Sequence, residues 1–234
     1  MGEFFSGYSG RGVTIAVIDS GVNPAHPHVG GVEGGARISA DGATTSDYLD
    51  YNGHGTAVAG AIREKAPGAL LYGLKVFDRN LTTSIDTIIM AIEWAIERRI
   101  RVINLSLGTT NAAHREAFER ALKRASHEKI ILVAPSSMSG QICLPGSLAQ
   151  ACGVECDWEM ARDRFGVKRD GDETIFVASA YPREIPGVPR ERNLMGISFA
   201  VANMTGFVAR AVEAHPAAPL SSLKLLLAAA VSDQ

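Results

Sequence analysis

The stretch VTIAVIDSG, residues 13–21, is six apolar or β-branched residues followed by an aspartate, a serine and a glycine. An unbroken run of this kind predicts a strand buried on both faces, as in a parallel sheet, and DSG predicts the turn that ends it at Asp19. The same pattern recurs downstream. PGALLYGLKVF (67–77) predicts a turn and a strand, IRVINLSLG (100–108) a strand, IILVAPSS (130–137) a strand ending in a turn, and ACGVEC (151–156) and TIFVASA (174–180) two more. Between and after them, HGTAVAGAIREKA (54–66), SIDTIIMAIEWAIERR (84–99), AAHREAFERALKRASHEK (112–129), SFAVANMTGFVARAVEAH (198–215) and LSSLKLLLAAAV (220–231) predict helices. Ile85, Ile88, Ile89, Ile92 and Ile96 form one helical stripe. Residues 24–53, rich in Gly, Asp, Ser and Thr, predict a long connection holding at most a short strand. Strands alternating with helices predict an α/β fold: three layers, with a mostly parallel sheet between helices on both faces. No repeat, low-complexity tract or linker divides the chain, so residues 1–234 are expected to form one domain.

Composition narrows the partners. The 234 residues are 46% hydrophobic and 21% charged, and 23 Lys and Arg against 25 Asp and Glu leave a net charge of -2. With no basic stripe, nucleic acid is not expected as a partner. LLLAAAV is far shorter than the roughly 20 apolar residues of a spanning helix, so no membrane association is expected. The opening MGEFFS (1–6) partly echoes the N-myristoylation pattern, a short match with many chance occurrences. Cys143, Cys152 and Cys156 form no CxxC pair and leave one thiol over, which suits reduced side chains in a cytoplasm.

In an open parallel sheet, ligands gather at the carboxyl ends of the strands. Asp19, Ser106 and Ser136 fall at predicted strand ends, and His54 and Ser198 at predicted helix starts, which face the same edge. Taken singly, Asp19 is a turn residue, His54 a loop histidine between two glycines, and Ser198 a helix N-cap. Together they permit one chemistry. A serine hydroxyl becomes a nucleophile when an imidazole takes its proton, and the imidazole needs a carboxylate to hold its tautomer.

The residues around these three make the pattern specific. VTIAVIDSGVNPAHPHV (13–29), NGHGTAVAG (52–60) and GISFAVANMTGFVA (196–209) each resemble a catalytic block of the subtilisin-like serine proteases, the subtilases or peptidase S8 family. APGALLYGLKVFD (66–78), IIMAIEWAIERRIRVINLSLG (88–108) and LPGSLAQACGVECD (144–157) resemble family segments in the right order. The resemblance covers about Gly12 to Ala230. It implies a seven-stranded parallel sheet and a serine endopeptidase acting on polypeptide, with Ser198 as nucleophile, His54 as general base and acid, and Asp19 as its orienting carboxylate. It also implies that Ser106, Leu107 and Gly108 pair with the substrate backbone, and that Pro135, Pro145 and Gly146 sit near the pocket for the side chain before the cut bond. Ala200, Ala202 and Gly206 are expected to let the last core helix pass close to the sheet.

The chain departs from the family in three places. The family's proline four residues beyond the nucleophile is here Ala202. The family's Gly-Asn pair, whose asparagine donates to the oxyanion, is replaced by Pro135 and Ser136, which makes Ser136 the candidate donor. AGAIREKAPGALLYG (59–73) passes from helix to strand without the usual calcium-bearing insertion, and DGD (170–172) is too short for a calcium site, so neither metal nor cofactor is expected. With no signal or prodomain read before Gly12, the expectation is a restricted cytoplasmic processing protease. Two alternatives stay open: an impaired peptide-binding domain, and a triad enzyme that ligates or cyclises peptides.

Overall fold

The computed structural model describes residues 7–77, 82–171 and 173–232. The myristoylation echo at 1–6 and the last residue of DGD lie outside the described residues. The predicted strands form as β1 (Thr14–Asp19), β4 (Leu70–Lys75), β5 (Val102–Leu105), β6 (Ile131–Pro135), β9 (Cys152–Asp157) and β11 (Glu173–Ser179). The connection before His54 also holds β2 (Gly34–Ile38) and the two-residue β3 (Thr44–Thr45), while β7 (Ser137–Met138), β8 (Gln141–Ile142) and β10 (Phe165–Asp170) are further additions.

One sheet runs in the order β10-β11-β9-β6-β5-β1-β4-β2-β3. Seven consecutive strands, β11 to β2 in that order, are parallel, and β10 and β3 close the two sides antiparallel. The short additions escape a periodicity reading for a physical reason. FGVKRD exposes half its residues and is held by its hairpin to β11, so no long apolar run marks it.

Each strand of the sheet centre sends alternate side chains to two separate cores. Ile15, Val17, Val102, Ile131 and Val133 face α1 (His54–Lys65), α4 (Ile197–Ala214) and α5 (Leu220–Ser232). Ala16, Ile18, Ile103, Leu105, Leu132 and Ala134 face α2 (Ile85–Glu97) and α3 (Arg115–His127). The isoleucine stripe of α2 lies against this second core, with Ile88, Ile92 and Ile96 buried and Ile85 and Ile89 packed at its border. Helix α4 is buried from Phe199 to Val212, which explains a segment almost without charge. Gly206 corrects one expectation: a Cβ there would lie 2.3 Å from Lys65 Cβ, so this glycine lets α4 approach α1 rather than the sheet. Among the described residues, no helix is long and apolar enough to cross a membrane.

Candidate active site

Register brings the strand ends to one level. Ile18 pairs with Leu105 and Asn104 with Val133, so Asp19, Ser106 and Pro135 emerge side by side at the carboxyl edge of the sheet. The helices that follow return their N-termini to that edge. His54 is the first residue of α1 and Ser198 the second of α4. Gly55 lets α1 settle there, since a Cβ would stand 2.1 Å from the Gly21 carbonyl and 3.0 Å from Asp19 Cβ. Gly196, which caps α4, holds φ at 137°, a value that favours glycine and turns the chain sharply into Ser198.

Asp19 and His54 meet. His54 Nδ1 lies 2.7 Å from Asp19 Oδ1, with the carboxylate 1% and the imidazole 16% exposed. The Ser20 N–H, at 2.7 Å, also donates to Asp19 Oδ1. Burial pushes the His54 pKa down, but the hydrogen bond to Asp19, the Asp19 charge and that of Asp50 outweigh it and hold it above the usual histidine value. With Nδ1–H committed to Asp19, Nε2 is left to accept a proton. The Phe199 ring packs 5.6 Å from the imidazole, centroid to centroid.

Ser198 reaches the same edge on the first turn of α4. Its hydroxyl donates to the Ser106 carbonyl at 3.0 Å rather than to the imidazole. Ser106 is itself fixed from beneath, because Asn104 Nδ2 donates to Ser106 Oγ at 2.7 Å and the Thr205 hydroxyl donates to Asn104 Oδ1 at 3.0 Å. This buried chain ties α4, β5 and the Ser106 segment together. Asn203 does the same for the approach to Ser198, donating to the carbonyls of Ser179 and Tyr181 at 3.1 and 3.0 Å.

The remaining candidates lie at the same edge but not all in the expected arrangement. β5 ends at Leu105, so Ser106, Leu107 and Gly108 leave the sheet ladder, and Thr109 then bridges antiparallel to Leu144. Gly146 presses on β6, where a Cβ would stand 2.2 Å from the Pro135 carbonyl, and Pro145 is buried beside it. Cys143 Sγ packs on Gly108, 2.5 Å from where a Cβ would sit, and burial pushes its thiol up to about 11. Cys143, Cys152 and Cys156 are all free.

Ser136 departs from its expected role. Its hydroxyl donates to the Val154 carbonyl at 3.2 Å and its N–H bonds the same carbonyl at 2.9 Å. A hydroxyl has one proton, and here β9 takes it, so in this arrangement Ser136 offers none to an oxyanion. Among the described residues, no group of three or more His, Cys, Asp or Glu side chains is placed to hold a metal ion.

Sequence reasoning missed Asp50. Its Oδ1 accepts from Ser20 Oγ and the N–H groups of Asn52 and Gly53, and its Oδ2 accepts from the N–H and hydroxyl of Thr56. Burial raises its carboxyl, but the Thr56 side chain and the N–H groups of Gly53, Thr56 and Asn52 outweigh that and hold it below the usual range. Asp50 thereby fastens the start of α1, and with it His54. The available signal was an aspartate just before a helix whose N-cap glycine has no side chain to bond the first turn.

A family model described as "Subtilase family" matches residues 10–180. The chain is 31% identical over 231 residues to a thermostable alkaline protease of Halalkalibacterium halodurans, covering 90% of this chain and 59% of that protein. It is 35% identical over 185 residues to the minor extracellular protease Epr of Bacillus subtilis, covering 74% of this chain and 27% of that one. The chain therefore spans little more than half of the first relative and about a quarter of the second. The structure of a cold-adapted subtilisin-like serine proteinase superposes with a TM-score of 0.73 at 22% identity, covering 95% of this chain and 83% of that one.

Proposed function

The chain belongs to the subtilase family, and from that premise we propose that it is a serine endopeptidase in which Ser198, His54 and Asp19 form the catalytic triad. The observation that carries the proposal is the buried Asp19–His54 hydrogen bond of 2.7 Å, with Ser198 on the first turn of α4 bonded to the carbonyl of Ser106, the residue level with Asp19 at the sheet edge. Asp19 holds the imidazole with Nε2 unprotonated. The Ser198 hydroxyl turns from the Ser106 carbonyl to Nε2, gives up its proton and attacks the substrate carbonyl. The tetrahedral oxyanion forms at the N-terminus of α4, where first-turn N–H groups have no helical acceptor and the helix dipole favours negative charge. His54 then protonates the departing amine, and water hydrolyses the acyl-enzyme by the reverse sequence. Ser106 to Gly108 and the Pro135, Pro145 and Gly146 face supply the acyl-side contacts in this reading. The three free thiols support a reducing compartment, consistent with a restricted cytoplasmic processing role.

A fluorophosphonate probe tests the triad. Labelling of the wild type that is lost in Ser198→Ala supports it, and equal labelling of both proteins overturns it. The Ser136 hydroxyl bound to Val154 favours a second reading, a domain that holds peptide without cutting it. A folded wild type that binds peptide but takes no probe would select that reading. If labelling occurs, product mass separates hydrolysis from ligation by one water.

A further inference from the structure

A cavity of about 400 Å³ lies beside the starts of α1 and α4, the two helices that carry His54 and Ser198. Its walls come from the loop after β1, from the approach to α1 and from the segment leading into Ser198, with no residue from the ends of β5 or β6. None of the acyl-side contacts proposed above, which belong to those two strand ends, lines this cavity, which leaves the leaving-group side of the cut bond as its place in the peptidase reading. Four basic side chains line it: His26, His28, Arg183 and Arg192. The acid in the lining is Asp50, and both its oxygens are already occupied by the donors that fasten α1. Glu184 and Glu191, the acids adjoining the two arginines in sequence, do not line the cavity. Among the described residues, Arg183 and Arg192 form no salt bridge. The His28 imidazole is held below the usual histidine value, by burial first and then by the positive charges of Arg183, His26 and Arg162. Burial is the larger cause, and the three positive neighbours act in the same direction.

We propose that this cavity takes an acidic side chain of the polypeptide substrate just beyond the cut bond, a specificity that rests on the reading of the chain as a peptidase. A carboxylate entering here gains charge-assisted hydrogen bonds from guanidinium groups, which suit its planar geometry. The adjoining cavity, about 560 Å³, shares Arg183 and adds Arg162 and Arg190 but also Glu64 and Glu184. Three arginines against two glutamates leave it one net positive charge, with Arg162 held by Glu64, so the acid preference is assigned to the first cavity alone.

The test uses a randomised decapeptide library in two arms. The wild type cleaves it and the products are sequenced, and immobilised Ser198→Ala protein binds it and the retained peptides are sequenced. Asp and Glu are expected to be enriched about 10-fold over Asn and Gln beyond the cut, the ratio set by roughly one charge-assisted contact. Arg183→Gln with Arg192→Gln brings the ratio towards one, whereas the paired Arg→Lys variants, which keep the charge but lose the planar fork, keep part of it. Retained peptides without acid enrichment, no retained peptides, or enrichment that survives the double glutamine variant would each overturn the proposal. Fluorophosphonate labelling of Ser198 in the wild type is read separately. Its loss removes the peptidase reading, while the binding arm still decides what the cavity prefers.

Discussion

Replacing Asp50 by asparagine removes one charge and one acceptor from the group that fastens α1. If the new amide keeps its oxygen towards Ser20 Oγ and the N–H groups of Asn52 and Gly53, its NH₂ faces the Thr56 N–H that Oδ2 accepts in the native protein at 2.9 Å. The Thr56 hydroxyl can turn and accept from the NH₂, but the N–H cannot. One partly buried donor is stranded, at about 1–3 kcal/mol. For a chain of this size that lowers the melting temperature by roughly 2–12 °C. The variant also changes the pH profile. His54 must be neutral to act as base, and its pKa lies above the ordinary 6.5 partly through the Asp50 charge. The acid limb of kcat/KM, which reports the free enzyme, therefore rises through a pKa above that value in the wild type and moves to lower pH in Asp50→Asn. Calorimetry gives the first effect and a kcat/KM profile from pH 5 to 9 the second. An unchanged melting temperature together with an unshifted acid limb would refute the role given to Asp50.

Asp19→Asn is expected to leave the fold intact and to cut turnover by about 10⁴, because an amide hydrogen-bonds the wrong imidazole tautomer; steady-state kinetics on one cleavable peptide measure it. Ser136→Ala is expected to cost about 1 kcal/mol in urea unfolding, through the lost bond to the buried Val154 carbonyl, with turnover unchanged. Ser136→Asn supplies a longer donor and is expected to raise turnover about 10-fold, which the same kinetics check. Gly206→Ala sets a Cβ 2.3 Å from Lys65 Cβ and forces α1 from α4. Overpacking of about 1–3 kcal/mol less the roughly 1 kcal/mol gained in helix propensity gives an expected net loss of up to about 2 kcal/mol, and a gain in stability in urea would show that the helices do not approach so closely.

Six of the seven parallel strands and the five long helices were legible in the chain because each buries enough apolar surface to leave a trace in the pattern. Asp19, His54 and Ser198 were legible as candidates because strand ends and helix starts meet at one edge of a parallel sheet, and the residues around each resemble the subtilase blocks. Short pieces such as β3, β7 and β8 left no trace, since two-residue strands are held by their partners rather than by their own side chains.

What the sequence could not decide were the directions in which polar side chains spend their hydrogen bonds. Ser136 stands where an oxyanion donor was expected, yet its single proton goes to the Val154 carbonyl, a choice set by how β6 lies beside β9. Asp50 looked like one acid among many in a polar loop, and only the closure of that loop onto Ser20 and Thr56 makes it the clasp of α1. The basic cavity is a tertiary fact as well, because His26, His28, Arg183 and Arg192 are brought together from more than 150 positions apart in the chain. Hydrophobic pattern is a local property repeated along a chain, and it specifies layers and order by itself. Hydrogen-bond partners and electrostatic fields depend on distances between remote segments, and those exist only once the layers have packed.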